Sequence, residues 1–533
     1  MFSQTFAIGA YQPMMKAEQS GKTSEQMTVV DGRNFAWEGA AVISAYAKAA
    51  APAILPAVPM RHPGIFMIAN LAYIFTETAV IRRNIDNTFT TVFTYLTPAS
   101  AGQWDETQYQ WTTGYVGTAH YFCHPSVGIV RFDQFDGLWR MVREDCWNGP
   151  TYAICMADNR LVVLLEDVVV WSWFDLGEKF DKLWQSGSGT QSLALIKYGQ
   201  PYAVRPYGGG FLTFTSMGVM ISVPENSQAM HPEGDKLTIG AVIFKHEELT
   251  FDDPAVGPAA ITSAGQDLVI WLAQNGLRAF APSQGGGFGG LQNWQAPMGA
   301  FYHETMIPDT ENSVGDRFML SYCAELRSIF ISSRGASGNY QAAHVYQMDY
   351  ERWGSFDHPH KVIGPGARGA LGGVNYHGAA FIDPAGALVD IVTGAVVDSW
   401  VKFSPLRLQL PQEPTLPATT LISVQEIRLG TERGPGHRLA NLPFGLISHW
   451  QIERFRGRPA TKCDVLLSGG WDDNTQNLDE GEYATLLKSN METAIYVCDV
   501  TGLTHSLYVT CTEPDHHFSI SHVEASFFFA GQL

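Results

Sequence analysis

Apolar positions follow one another almost without interruption in the stretch RLVVLLEDVVVWSWFD, residues 160–175. Two runs rich in Val, Leu and Trp flank the acids Glu166 and Asp167, and no polar position recurs at helical spacing. β-Branched residues in such runs disfavour a helix and favour strands. The pattern predicts two short antiparallel strands joined by a tight acidic turn, with Val162, Leu164 and Val169 all inaccessible to solvent.

The same pattern recurs along the chain. Seven such stretches begin at Ala72, Ala119, Arg160, Gly209, Gln266, Arg327 and Gly378. Asn275-Gly276 in the fifth stretch is a strong hairpin signal. A spacing of roughly 40–60 residues fits four-stranded propeller blades, each of which lies between two neighbours and buries both faces. The alternative is a set of unrelated β-sandwiches whose sheets each have one solvent-exposed face. It predicts a more regular alternation of apolar and polar residues along each strand.

We therefore predict an all-β protein in four parts. Residues 1–60 form an N-terminal arm, whose Ala-rich part is compatible with a short helix ended by Pro52. Residues 61–404 form a β-propeller of about six to seven degenerate blades. Residues 405–417 form a Pro-rich linker, and residues 418–533 form a C-terminal β-sandwich.

Three aromatic residues are candidate subunit-interface residues: Phe35, Trp37 and Phe528. In the last predicted strand, HVEASFFFAG, the residues Val523, Ala525, Phe527 and Phe529 share one face, which we expect to be core. Phe528 falls on the other face among polar neighbours. That position suits a second internal layer or contact with another chain, and internal packing is slightly favoured because lone surface aromatics are ordinary.

Composition narrows the class of protein. The chain has 533 residues, 45% hydrophobic and 16% charged, with a net charge of -18. Single cores stop growing at roughly 250–300 residues, so two or more domains are expected. Proteins that grip nucleic acid need dense Lys and Arg, whereas 52 acidic residues here outnumber 34 basic ones.

The cysteines and the N-terminal residues bear on the compartment. Seven cysteines without a CxxC pair indicate free thiols in a reducing compartment. No secretory signal is visible, and the early apolar run AYAKAAAPAILPAV is broken by Lys48, Pro52 and Pro56. We expect a soluble protein made in a cytoplasm, with no membrane insertion.

Several short motifs resemble chemical sites but have simpler explanations. GGGFGG (residues 285–290) lacks the following helix of a dinucleotide fingerprint, and QSGSGTQS (185–192) lacks the Lys of a phosphate loop, so both are predicted blade connections. No G-x-S-x-G and no HExxH motif occurs. We expect no catalytic residue, no metal and no cofactor.

Clusters of acids and of histidines are alternative candidates for chemical sites. Asp252-Asp253 could act as a carboxylate pair but is more typical of a turn before Pro254. The histidines could bind zinc, and the acidic segment 471–482 could bind calcium; surface turns explain both more simply. The histidines concerned are His358, His360, His516, His517 and His522.

The chain resembles the tail hub or nozzle proteins of short-tailed bacteriophages. The resemblance is carried by VVDGRNF, RLVVLLEDVVVWSWFD, GGFLTFTSMGVMIS, VYQMDYERWGSFD and SISHVEASFFFAG, and by the order of arm, blades and C-terminal β-domain. It implies a virion structural protein, not an enzyme, that is assembled in the host bacterial cytoplasm and located in the virion tail.

The resemblance also implies partners. The chain would form a homo-oligomer, commonly a hexameric ring, below the portal and adaptor rings, and would support tail fibre or spike proteins. Genomic DNA would pass transiently through the channel during ejection without tight binding, which suits an acidic chain. Two alternatives remain open: a propeller-type carbohydrate-active hydrolase and a peptide-binding propeller scaffold.

Overall fold

The computed structural model describes most of the strands and few of the longer loops. The described residues are 1–9, 26–44, 47–48, 53–56, 63–84, 86, 88–95, 109–142, 150–172, 174–178, 180, 189–191, 198–226, 242–265, 268–274, 276–281, 290–293, 318–324, 326–334, 339–366, 369–371, 374–376, 379–392, 399–404, 406, 408, 420–430, 464–470, 485–486, 488–490, 495–511 and 518–532. Within them the structure is all-β, apart from one 3₁₀ turn at Pro258–Ala260. No helix in this part of the chain has the length and apolar character needed to cross a bilayer.

The N-terminal segment consists of short strands. These are β1 (Phe2–Gly9), β2 (Gln26–Arg33), β3 (Phe35–Glu38), β4 (Ala41–Ser44), β5 (Ala47–Lys48) and β6 (Ala53–Ile54). The predicted helix before Pro52 is wrong where the structure describes this region, because its residues pair in sheets instead.

The first four blades are four-stranded antiparallel sheets. Blade 1 contains β7 (Gly64–Ile68), β8 (Leu71–Phe75), β9 (Ala79–Arg83) and β10 (Phe89–Thr94). Blade 2 contains β11 (Thr112–Val116), β12 (Ala119–His124), β13 (Gly128–Asp133) and β14 (Trp139–Met141). Blade 3 contains β15 (Ala153–Ala157), β16 (Arg160–Leu164), β17 (Val169–Trp171) and β18 (Gly189–Gln191). Blade 4 contains β19 (Pro201–Tyr207), β20 (Gly210–Thr215), β21 (Val219–Asn226) and β22 (Val242–Thr250).

Three further blades complete the propeller. Blade 5 contains β23 (Ile261–Ser263), β24 (Val269–Ala273), β25 (Gly276–Ala281) and β26 (Gly290–Asn293). Blade 6 contains β27 (Phe318–Cys323), β28 (Ser328–Arg334), β29 (Tyr340–Gln347) and β30 (Arg352–Phe356). Blade 7 contains β31 (Val362–Pro365), β34 (Ala379–Ile382) and β35 (Ala387–Val392), with the pair β32 (Gly369–Leu371) and β33 (Val374–Tyr376) between them in sequence. The N-terminal β5 and β6 pair with β35 as its outer partners.

Blade 3 shows why the hairpin of residues 160–175 is apolar on both faces. Leu161 and Val163 belong to a cluster shared with blade 2, whereas Val162 and Leu164 belong to a cluster shared with blade 4. Val162, Leu164 and Val169 are fully buried, as predicted. Each of the seven predicted hairpins corresponds to paired strands of one blade, so the propeller is confirmed with seven blades in the described residues.

The ring closes between blade 7 and blade 1. Their inner strands β31 and β7 lie side by side, and their apolar residues form one cluster that includes Leu55 from the N-terminal segment. The Arg83 guanidinium donates to both carboxylate oxygens of Asp390, each at 2.7 Å. A partly buried, bidentate ion pair of this kind fixes the first and last blades against each other.

The C-terminal part is a β-sandwich, as predicted. Its remaining strands are β36 (Ser399–Phe403), β37 (Thr420–Gly430), β38 (Asp464–Gly470), β39 (Thr485–Leu486), β40 (Lys488–Asn490), β41 (Ile495–Gly502), β42 (Thr504–Cys511), β43 (Ser519–Ile520) and β44 (His522–Gln532). One layer has the order β1-β44-β37-β41-β40 and the other β2-β36-β42-β38-β39, joined through the parallel pair β1–β2. Of the predicted linker, the structure describes Leu406 and Leu408, and both are buried in the core.

The N-terminal segment is not a separate arm. β1 and β2 lie in the sandwich, β3 and β4 extend the blade 6 sheet beyond β30, and β5 and β6 complete blade 7. β43 pairs with β4, so residues from both ends of the chain extend blade 6. A single apolar cluster runs from blades 5 and 6 into the sandwich. The propeller and the sandwich therefore share one core.

Candidate functional site

The axis of the propeller is closed at one end by a side chain. Gln110 precedes the inner strand of blade 2, and its amide donates to the carbonyl oxygens of Ala259 at 3.1 Å and Leu320 at 3.4 Å. Those carbonyls belong to blades 5 and 6, so the side chain spans the axis. We call this end the closed face.

The closed face is hydrogen-bonded through neutral groups. The Tyr109 hydroxyl donates to the carbonyl of Pro201 and accepts from the Gln200 amide, both at 2.9 Å. Burial raises the pKa of Tyr109 well above its usual value, so the phenol stays protonated. Burial also lowers the pKa of His124 to about 4, which keeps the imidazole neutral between Ser126 and the carbonyl of Tyr109. These contacts hold the inner strands together.

At the other end, where the first strand of each blade turns into the second, residues of blades 1 to 4 line a cavity of about 320 Å³. We call this end the open face. The cavity is lined by Phe66, Met67, Thr113, Gly114, Tyr115, His120, Phe122, Met156 and Pro206. Tyr115 is exposed and its ring packs against that of His120 at 4.7 Å. Burial lowers the pKa of His120, so this lining is neutral and largely aromatic, which suits an apolar group and offers no carboxylate for hydrolysis.

A partly buried cation, Arg205, lies on the inner strand of blade 4. The Arg205 guanidinium donates to the carbonyl of Ile261 at 3.0 Å, and burial lowers its pKa to about 10. Its neighbour Cys155 is buried, and burial raises the pKa of that thiol, which makes it a poor nucleophile. The pair therefore contributes to packing between blades and not to covalent chemistry.

Exposed apolar side chains gather beside the open face on blades 2 and 3. Phe135 is 91% exposed, and Leu138, Phe174 and Leu176 are also exposed. We call these four residues the blade 2–3 patch. Sequence reasoning missed them, although FDQFDGL places Phe135 and Leu138 inside an Asp- and Gly-rich turn that cannot bury them.

Polar contacts hold the patch in place. Asp133 accepts from the backbone N–H of Phe135 at 2.9 Å and pairs with Arg131 at 2.6 Å. Glu178 pairs with both Arg131 and Arg140 at 2.8 Å, which ties the segment after β17 to blade 2. These bonds fix two turns that present large apolar side chains to water.

The three predicted interface residues differ in their exposure to solvent. Phe35 and Trp37 are 0% and 1% exposed within one chain, so their assignment to a subunit interface is wrong. Trp37 donates from Nε1 to the carbonyl of Trp353 at 2.6 Å and its ring lies under the Arg352 guanidinium at 4.5 Å. These residues instead attach the N-terminal segment to blade 6.

Phe528 is 41% exposed and remains an interface candidate, whereas the preference for internal packing is wrong. Val523, Ala525 and Phe527 are buried as predicted, but Phe529 is exposed. The end of β44 passes a register shift against β37 between Leu421 and Ile422 and runs beyond the sandwich core. Strict alternation therefore fails at its last residues.

The remaining sequence candidates are structural where they are described. Asp253 pairs with Arg278 at 3.0 Å, and its carbonyl accepts from Trp271, as a turn residue would. His360 is buried and bonded to Ser332, and within the described ranges no group of His, Cys, Asp and Glu is arranged to hold a metal ion. Residues 189–191 form β18. His516, His517, residues 185–188, 285–289 and 471–482 lie outside the described residues.

Comparison with known proteins gives only distant structural likenesses. No protein-family model matches the chain. No curated protein matches it. Among solved structures, the chain is similar to the β-propeller domain of Cps50 (Swd1) from Myceliophteria thermophila, with 9% identity over 64% of this chain and 98% of that one and a TM-score of 0.37. It is also similar to YCF48 bound to D1 peptide, with 11% identity over 69% and 97% of the two chains and a TM-score of 0.33.

Proposed function

We propose that this chain is a structural subunit of a short bacteriophage tail, which assembles as a hub or nozzle ring around the path of the genome, commonly sixfold in the family that it resembles. The observation that carries the proposal is the shared core of propeller and sandwich, through which the N-terminal strands are threaded. A subunit that transmits force between its neighbours in an assembly needs domains with a fixed relative orientation. A propeller joined to a sandwich by a flexible linker would not have a fixed orientation.

The genome path in this proposal runs between subunits. Gln110 spans the propeller axis, and the cavity at the open face is about 320 Å³, too small for a duplex. The chain carries a net charge of -18, so a wall formed by several copies would repel phosphates and let DNA slide. Adaptor and portal-side proteins on one side, and fibres or spikes on the other, are the partners that this role requires.

A peptide-binding scaffold is the second candidate, because the aromatic lining of the open-face cavity could hold an apolar side chain of a partner peptide. The carbohydrate-active hydrolase gains no support from this cavity, whose described lining contains no carboxylate.

Mass measurement and electron-microscope images of the purified chain test the proposal. We expect a closed ring of several 58.6-kDa subunits around an opening wide enough for duplex DNA, with weak DNA binding at low salt. Tight DNA binding that weakens steeply with salt would contradict the idea that DNA slides through the channel, and would indicate a DNA-binding role instead. A chain that stays monomeric at every concentration would contradict the proposed ring. Hydrolysis of a glycan by that monomer would favour the enzyme, and peptide binding at the cavity would favour the scaffold.

A further inference from the structure

The blade 2–3 patch is large enough to be the apolar centre of a protein interface. Its two Phe and two Leu side chains expose about 400 Å² together, taking about 150–250 Å² for a whole aromatic side chain. The largest apolar patch on a monomer is typically about 300–600 Å² and often functional. One side of a stable interface covers about 800 Å² with an apolar centre and a polar rim, so the patch supplies about half of it.

The charges around the patch restrict what can cover it. Asp136 follows Phe135, and Asp175 lies between Phe174 and Leu176, both with exposed carboxylates. Two copies meeting patch to patch would bring these acids together in a partly dehydrated interface, at a cost in Coulomb energy. The occupant that fits is apolar and carries no acid of its own.

The end of β44 meets both requirements. Residues 525–532, ASFFFAGQ, contain no charged side chain, and Phe528 and Phe529 are exposed. The sandwich that carries them shares its core with blades 5 and 6, which lie two to three blades away from blades 2 and 3 around a seven-bladed ring. The two apolar surfaces therefore lie on different sides of one chain and cannot cover each other.

We propose that the blade 2–3 patch of one copy binds the end of β44 of the next copy, head to tail. This contact rests on the proposed ring and specifies the surface that builds it. Because the two surfaces differ, the contact is heterologous and repeats from copy to copy until the ring closes.

Paired substitutions on each surface test the contact in the full chain. Phe135→Ser with Leu138→Ser alters the patch, and Phe528→Ser with Phe529→Ser alters β44. Met217→Ser is the control, because Met217 is an apolar residue in a turn at the closed face of blade 4 and is 57% exposed, close to the 61% of Leu138. Circular dichroism melting shows whether each variant is folded, and Phe174→Ser provides an independent patch variant should the first fail to fold.

Solution mass gives the readout. We expect wild type and the Met217 control to form the ring and either surface variant to run at 58.6 kDa, with the contact at least tenfold weaker. A mixture of the two surface variants should give a dimer and nothing larger, because only one intact contact remains.

Three outcomes overturn the contact: a ring that survives either surface variant, a β44 variant that dimerises by itself through patch-to-patch pairing, or a mixture that stays monomeric. In the first case the ring persists and the proposed function stands. If wild type itself never forms a ring, the proposed function fails together with the contact.

Discussion

Arg83 and Asp390 join the first and last blades, and removing one partner tests how strongly the ring depends on that closure. The Arg83 side chain is 6% exposed and that of Asp390 is 32% exposed. Asp390→Ala leaves the buried guanidinium without its carboxylate, a change that typically costs about 3–5 kcal/mol. Arg83→Met leaves a carboxylate that water can reach, so the loss should be smaller, about 1.5–3 kcal/mol for the charged hydrogen bonds.

The double variant separates the pair from its surroundings. With both charges removed, neither ion of this pair remains to be buried without its partner, and we expect the Arg83→Met, Asp390→Ala protein to be more stable than Asp390→Ala alone. That ordering corresponds to a coupling energy of about 2 kcal/mol. Asp349→Ala is the control, since the Arg327–Asp349 pair at 2.6 Å has a largely exposed arginine and should contribute about 0–1 kcal/mol.

Urea unfolding followed by far-ultraviolet circular dichroism measures each free energy of unfolding. Limited proteolysis in the absence of urea shows whether the junction between blades 1 and 7 opens first. The reasoning is refuted if Asp390→Ala costs no more than Asp349→Ala, or if the double variant is the least stable of the set. Either result would mean that apolar contacts alone close the ring.

Three more perturbations follow from the described contacts. Trp37→Phe removes the donor to the Trp353 carbonyl and should cost about 1–3 kcal/mol, seen as a lower urea midpoint; an unchanged midpoint would contradict the structural role given to that bond. Leu164→Asp buries an unpaired charge and should abolish soluble expression, whereas Glu166→Ala in the exposed turn of the same hairpin should express normally. Burial lowers the pKa of His360 to about 4, so the unfolded chain binds more protons below about pH 6.5 and stability falls from there towards pH 4, by up to about 3 kcal/mol. His124, among others, has the same lowered pKa, so His360→Gln should make that acid limb of the stability curve less steep without removing it. An unaltered limb would exclude His360 as a contributor.

The blades could be predicted from sequence because their signals are local. Thr76 directly follows the second strand of blade 1, and Thr215 ends the second strand of blade 4. The hydroxyl of each accepts from a backbone N–H three residues on, from Ala79 at 3.0 Å and Gly218 at 3.2 Å. FTETA and FTSMG therefore form the same turn. Apolar runs on both sides of such turns then specify hairpins with two buried faces.

The sheets in which the N-terminal strands pair could not be predicted in the same way, because the partner residues are distant in sequence. Trp37 bonds to Gln347 and Trp353, more than 300 residues away, and nothing in its neighbourhood marks those partners. Within a strand, an exposed and a buried aromatic residue look alike in sequence, so only the arrangement of blades shows that Trp37 is covered. Phe135 lies in an Asp- and Gly-rich turn, and there the sequence does carry a local sign of exposure.

The pairing of β1 with β44 makes the order of synthesis matter. β1 emerges from the ribosome first, yet its antiparallel partner is residues 522–532, and β4 likewise waits for β43. Blades 1 to 5 can form from local hairpins as the chain grows, whereas these long-range pairs cannot. The sandwich and the end of β44 are thus completed only after almost the whole chain has been translated. Interrupted or shortened chains would lack that surface, so the fold itself screens out incomplete products before they can enter an assembly.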